Sequence, residues 1–196
     1  HEDGKADYSA EVATLASAGG DAVAVIGYLD QGGKGIIQGA LDSGAFDTFI
    51  LSDGMIGDSL TDAFGKSLNK SFGSLPGSTG KGAGVFATVA GDAGIDPSGP
   101  YTGESYDAAA LIVLAMQASG SADRKGIADN VMAVANGPGK KIYPGQLKKA
   151  LDLLAKGKAV DYEGATGVMF TEVGEAEGSF LEKEIKGGKF KTKKQR

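Results

Sequence analysis

The sequence predicts an α/β fold. Two short apolar runs of strand length, 22–28 (AVAVIGY) and 46–51 (FDTFIL), alternate with helical patterns over the first 70 residues. Such alternation implies βαβ units, a parallel sheet covered by helices, and right-handed crossovers. Glycine supports the same reading. The 33 glycines among 196 residues are roughly twice the average share. They punctuate the pattern without repeating, as many tight turns between short elements require.

Taken in order, Asp7 or Ser9 can cap a helix running to about Ala18, with Val12 and Leu15 on its buried side, stopped by Gly19-Gly20. The valine-rich run 22–28 is too short for a helix and fits a buried parallel strand. A glycine-rich loop leads to a helix at about 33–41, ended by Gly44. Strand 46–51 follows, with Ser52-Asp53-Gly54 at its C-terminal end, and then a short helix at about 59–68. Residues 72–82 (FGSLPGSTGKG) read as a hinge between lobes. Beyond it, helices are expected near 84–93, 104–118, 122–135 and 144–156. The second is apolar on most faces and hence expected to be buried. Ser121 to Arg124 suits a helix start, and Pro144 a first turn. Residues 167–170 and 179–190 read as short strands joined by a turn at 174–178. The second half supplies helices but almost no strands for them to pack on, which points to sequence preceding His1 and predicts a dimer or swapped assembly, or else poor stability.

The composition excludes several function classes. Net charge is −5, from 20 basic and 25 acidic residues, which argues against a generic nucleic-acid binder. The basic tail, Lys186 to Arg196, reads as a solvated, frayed terminus, with a docking patch for a partner or an anionic surface as the alternative. Cysteine is absent, so neither disulfide nor thiolate chemistry is available. No run of about 18 apolar residues spans a membrane, and no signal peptide is present in the chain. The single histidine is His1, so no Ser-His-Asp or Cys-His arrangement can be built. Neither Gly33-Lys34 nor Gly80-Lys81 completes a phosphate loop, and Ser105 lacks the second glycine of a nucleophile elbow. Catalytic residues, metal ligands and cofactors are therefore expected to be absent, and a binding protein is favoured over an enzyme.

Binding residues are sought where open α/β sheets hold ligands, beyond the carboxyl ends of the strands. Tyr28 and Leu29 follow the first strand, Asp53 follows the second, and Tyr101 precedes the long helix. A carboxylate at such an edge can hold an ammonium group. A tyrosine there offers apolar area with a polar tip.

Four segments together carry a resemblance: DYSAEVATLASAGGDAVAVIGY (7–28), FILSDG (49–54), DPSGPYTGESYDAAAL (96–111) and YEGATGVMF (162–170). In order and spacing they resemble the periplasmic solute-binding proteins of the leucine/isoleucine/valine ABC transporter family. The YDAAAL and GATG pieces weigh most. The resemblance implies a type I periplasmic-binding fold of two lobes, each a parallel sheet with helices on both faces, that closes on a ligand in the cleft. On that template the chain is a C-terminal fragment. Residues 1–72 are part of the second lobe, 73–82 the hinge, 83–170 the C-terminal part of the first lobe, and 171–196 the return to the second lobe with its basic tail. The implied function is extracytoplasmic binding of an amino acid or similar amine-bearing solute, in partnership with a membrane permease. A ligand-sensing receptor of the same fold, of the amide or urea type, is the alternative. Asp53 falls where the family places an acidic residue on the ligand ammonium. Tyr28, or Leu29 given a one-residue difference in loop length, falls near a family aromatic that contacts the ligand. Tyr101 falls near the ligand side chain.

Overall fold

A computed structural model describes residues 2–196. The chain runs through α1 (Ser9–Ala18), β1 (Val23–Val25), α2 (Lys34–Ser43), β2 (Phe49–Leu51), α3 (Asp58–Phe64) and β3 (Phe72–Pro76). It continues through α4 (Lys81–Asp92), α5 (Thr102–Ser119), α6 (Arg124–Ala135), β4 (Lys140–Ile142), α7 (Leu147–Leu154), β5 (Val160–Tyr162), β6 (Met169–Phe170) and β7 (Ala176–Glu177). It ends with β8 (Phe180–Ile185) and β9 (Phe190–Gln195). Two compact units result. Unit 1 holds the residues up to Pro76 together with Phe180–Arg196, and unit 2 holds Gly77–Ser179.

Unit 1 is built on a five-stranded sheet of order β1-β2-β3-β8-β9. The first three strands are parallel, and the last two are added antiparallel. Alternation explains the strands: Val23 and Val25, Phe49 and Leu51, then Leu75 and Ile185 all point into one core. That core also takes Val12 from α1, Ile36, Ile37 and Ala40 from α2, and Leu60 from α3. Burying a side chain such as Phe49, fully enclosed, contributes about 1.5–3 kcal/mol. Ser71 is buried beside it and accepts the Phe49 N–H at 3.0 Å. Gly44 ends α2 in the left-handed region at φ 66°, where its N–H reaches the Ala40 and Leu41 carbonyls, a conformation that favours glycine.

Several expectations need correction here. Leu15 is 40% exposed, so Val12 alone is buried on α1. Phe72–Pro76, read as hinge, is a strand, because β2 and β8 flank it and supply its hydrogen-bond partners. The basic tail is not frayed: it is β9, paired along its length with β8. Residues 179–190 are not one strand but β8 and the turn that leads to β9.

Unit 2 places α5, α6 and α7 around a two-stranded parallel sheet of β4 and β5. Leu111, Leu114, Val134, Ile142, Ala150, Val160 and Tyr162 form its core. The two strands were not expected from sequence. The α5 helix is buried on one side only: Ile112 and Val113 are 46% and 43% exposed. Asp123 caps α6 through Oδ1, which accepts the Gly126 N–H at 2.7 Å, within the segment Ser121 to Arg124 that the sequence marks as a helix start. By contrast α7 begins at Leu147, three residues past Pro144. A separate hairpin of β6 and β7 precedes the exit to β8.

Candidate functional site

Parallel pairing puts the C-terminal ends of β1 and β2 side by side, Val25 opposite Leu51. The residues that follow are then forced together at one edge of the unit 1 sheet. Ser52 ties them. Its backbone N–H reaches the Val25 carbonyl at 3.2 Å. Its hydroxyl accepts the Gly27 N–H and donates to the Gly27 carbonyl, each at 3.3 Å. Beyond Ser52 the chain turns through a short 3-10 segment, Asp53–Met55.

This arrangement joins two of the residues singled out from sequence. The Tyr28 ring lies over the α-carbon of Gly54, the neighbour of Asp53. A Cβ at Gly54 would come within 2.8 Å of the ring and 2.5 Å of the Gly27 carbonyl oxygen. Tyr28 itself is 64% exposed, so the ring forms an open rim. Asp53 is half-buried, and its carboxylate has no hydrogen-bond or ion-pair partner among the described residues. Nearby Asp30 differs, since Lys34 neutralises it at 2.6 Å. Leu29 turns the other way and packs against the unit 1 core.

Tyr101 belongs to unit 2. It precedes α5 with left-handed backbone angles, φ 59° and ψ 11°, an unusual state for a bulky residue. It stands 40% exposed at the rim of a cavity of about 520 Å³, lined by Phe86, Val89, Ile95, Thr102 and Tyr106 among others. Phe86 and Tyr106 meet at a ring separation of 5.3 Å. The cavity wall is apolar with a few hydroxyls, the composition of small-molecule sites.

Sequence reasoning missed the supporting residues. Ser52 and Gly54 flank Asp53, and the Ser-Asp-Gly triplet directly after a strand was the available signal. Asp107 was also missed as an anchor. Its buried carboxylate accepts hydrogen bonds from Tyr162 Oη, the N–H groups of Ala165 and Thr166, and Thr166 Oγ1, all at 2.8–2.9 Å. Desolvation, and then the neighbouring Asp107, push the Tyr162 phenol far above its ordinary range. Among the described residues no group of three or more His, Cys, Asp or Glu is placed to hold a metal ion, and no helix is long and apolar enough to cross a membrane.

Comparison with solved structures identifies the architecture. The leucine-binding protein LivK of Thermotoga maritima matches 98% of this chain and 49% of its own, with a TM-score of 0.71 at 20% identity. A type 1 periplasmic binding protein of Bordetella pertussis matches 97% of this chain and 50% of its own, with a TM-score of 0.66 at 19% identity. The chain has the α/β fold of type I periplasmic binding proteins. It spans about half the length of these two structures. In sequence it is similar to BasB, the chemotactic signal transduction system substrate-binding protein of Halobacterium salinarum. That likeness is 41% identity over 71 residues, covering 36% of this chain and 17% of BasB. No protein-family model matches the chain.

Proposed function

We propose that this chain belongs to an extracytoplasmic solute-binding protein of the branched-chain amino-acid ABC transporter family. It binds an amino acid or similar amine-bearing solute. One observation carries the reading: Asp53 holds a half-buried carboxylate without a protein partner at the strand edge, next to the Tyr28 ring. An incoming ammonium would complete that carboxylate's hydrogen bonding, and charge-assisted pairs of this kind are the strong ones. Tyr28 would flank the solute with apolar area. On unit 2, Tyr101 at the rim of its own cavity is a separate candidate contact for a solute. Units 1 and 2 would be portions of the two lobes. The reading assigns no catalytic residue, cofactor or metal, and its protein partner is a membrane permease.

Titration calorimetry of the full-length protein against an amino-acid panel tests this. Asp53→Ala should cost at least ~2 kcal/mol of binding, the scale for removing one member of a buried charge pair. An unchanged dissociation constant would remove Asp53 from the site.

The likeness to BasB favours a second reading, in which the bound solute is reported to a signalling system. Deleting the gene separates the two. Loss of solute uptake with intact taxis supports the transporter, and the converse supports the sensor.

A further inference from the structure

Helix α6 ends at Ala135, and Asn136 closes it: the Asn136 N–H reaches the Met132 carbonyl at 2.9 Å. The Asn136 side chain turns to β6. Its Nδ2 donates to the Phe170 carbonyl at 2.7 Å, and its Oδ1 accepts the Phe170 N–H at 2.8 Å. The carboxamide pairs with Phe170 as an antiparallel strand residue would, giving one hydrogen bond and taking one. This clamp ties the β6–β7 hairpin to the end of α6.

The residue after Asn136 is Gly137. An asparagine side chain ends in an electrophilic carbon, Cγ, which the backbone nitrogen of the next residue can reach to close a small ring. Glycine puts no side chain in the path of that nitrogen. The other two asparagines, Asn69 and Asn130, are followed by Lys70 and Val131, whose side chains crowd the same approach. The Gly137 N–H makes no hydrogen bond among the described residues. Yet the ring cannot close in the clamped state. Closure requires the Gly137 nitrogen to eclipse Cβ about the Cα–C bond of Asn136. With ψ at 5° it eclipses the Asn136 nitrogen instead. The carboxamide must leave Phe170 and the backbone must turn. The hairpin that holds it has strands of two residues each, so it can open locally without global unfolding.

We propose that Asn136 is a modification site, where spontaneous deamidation is gated by the Phe170 clamp and then releases the hairpin. The reaction lies within two consecutive residues and draws only on water. The Gly137 nitrogen loses its proton to solvent and bonds to Asn136 Cγ. The Cγ–Nδ2 bond breaks and ammonia leaves. Water then opens the succinimide at one of its two carbonyl carbons. Opening at Cγ gives aspartate. Opening at the backbone carbon gives isoaspartate, whose main chain runs through Cβ and Cγ. In the aspartate an oxygen stands where Nδ2 stood and meets the Phe170 carbonyl, acceptor against acceptor. That carbonyl loses its donor, and an unpaired polar group is costly. Isoaspartate lengthens the main chain and displaces the pairing group altogether.

Peptide mapping of the chain held at mildly alkaline pH tests the proposal, with Asn69 and Asn130 as controls in the same molecule. Fragment sequencing separates Asn130 from Asn136, and an isoaspartate assay identifies the route. Unfolded in urea, the chain should convert Asn136 at least ~tenfold faster than either control. Folded, it should convert Asn136 at least ~tenfold more slowly than when unfolded, the mark of a local opening, and still ahead of both controls. Isoaspartate should be among the products in both states. The variant Asn136→Asp installs one product directly. In it, hydrogen exchange of the Phe170 amide should quicken by at least ~tenfold while the Leu114 amide of the unit 2 core keeps its rate. Conversion of Asn136 no faster than a control, equal rates in the folded and unfolded chains, or aspartate without isoaspartate overturns the proposal. So does unchanged exchange at Phe170 in Asn136→Asp.

Discussion

Asp107 Oδ2 accepts two hydrogen bonds from Thr166, one from its backbone N–H and one from its hydroxyl, each at 2.8 Å. Oδ1 meanwhile takes the Ala165 N–H and the Tyr162 hydroxyl. The two motifs that weighed most in the sequence, YDAAAL and GATG, are thus the two halves of one anchor. Gly164 completes it. Its φ is 57°, and a Cβ there would come within 2.4 Å of the Asp107 carboxylate. The turn is also pinned from the other side, since Gly82 at the start of α4 lies against the Gly164 carbonyl.

The anchor should dominate the stability of unit 2. Asp107→Ala strands four donors in a buried site, at about 1–3 kcal/mol for each one left unsatisfied. A loss of at least ~3 kcal/mol is expected in denaturant unfolding. Thr166→Val removes a single hydroxyl bond and should cost only about 1 kcal/mol. Equal effects of the two variants would show that the carboxylate is not the hub.

Tyr162 gives the anchor a pH signature. Its phenol is held protonated far above the ordinary value of 10.0, chiefly by burial and then by Asp107. A folded-state pKa raised above the unfolded one gives stability that is fully present below the unfolded value and lost as pH rises above it. Unit 2 should therefore weaken from about pH 10 upward. Tyr162→Phe should cost about 1 kcal/mol at neutral pH and flatten the alkaline decline. A decline unchanged in Tyr162→Phe would assign it to other groups.

Much of this fold was legible because its signals were local. The valines of β1, the Phe49–Leu51 run and the Asp123 cap each declare themselves within a few residues. Strands β4 and β5 did not. Each has three residues, and β4 buries only Ile142 behind two lysines, so no periodicity rises above its surroundings. β9 looked like a tail because its lysines mask Phe190, which packs against the unit 1 core, and its order comes from pairing with β8. The candidate site was legible as strand-end positions, so Asp53 and Tyr28 could be named. Their meeting over Gly54 depends on parallel register, which no single segment encodes. The Asp107 anchor joins residues 55–59 apart and was equally out of reach.

Tyr28 and Gly54 should separate binding from stability. Tyr28 is largely exposed, so Tyr28→Ala should change unfolding by no more than about 0.5 kcal/mol while weakening solute binding. Gly54→Ala would press a methyl group into both the ring and the Gly27 backbone and should lower binding and stability together. Calorimetry and denaturant melts on the same samples check this. Full binding in Gly54→Ala would mean that the ring's seat is irrelevant to the solute.

Two glycines of α4, two residues apart, should respond in opposite directions to the same substitution. A Cβ at Gly84 meets nothing within 4 Å, so Gly84→Ala gains only helix propensity, about 1 kcal/mol of stabilisation. At Gly82 the same carbon would come within 2.1 Å of the Gly164 carbonyl oxygen. That atom is backbone, held by the Asp107 anchor, and cannot swing aside. Gly82→Ala should therefore destabilise unit 2 despite the propensity gain. The double variant Gly82→Ala/Asp107→Ala should show less than the sum of the two losses, because releasing the turn lets the clash relax. Strict additivity in thermal or denaturant melts would mean that the turn is held independently of Asp107.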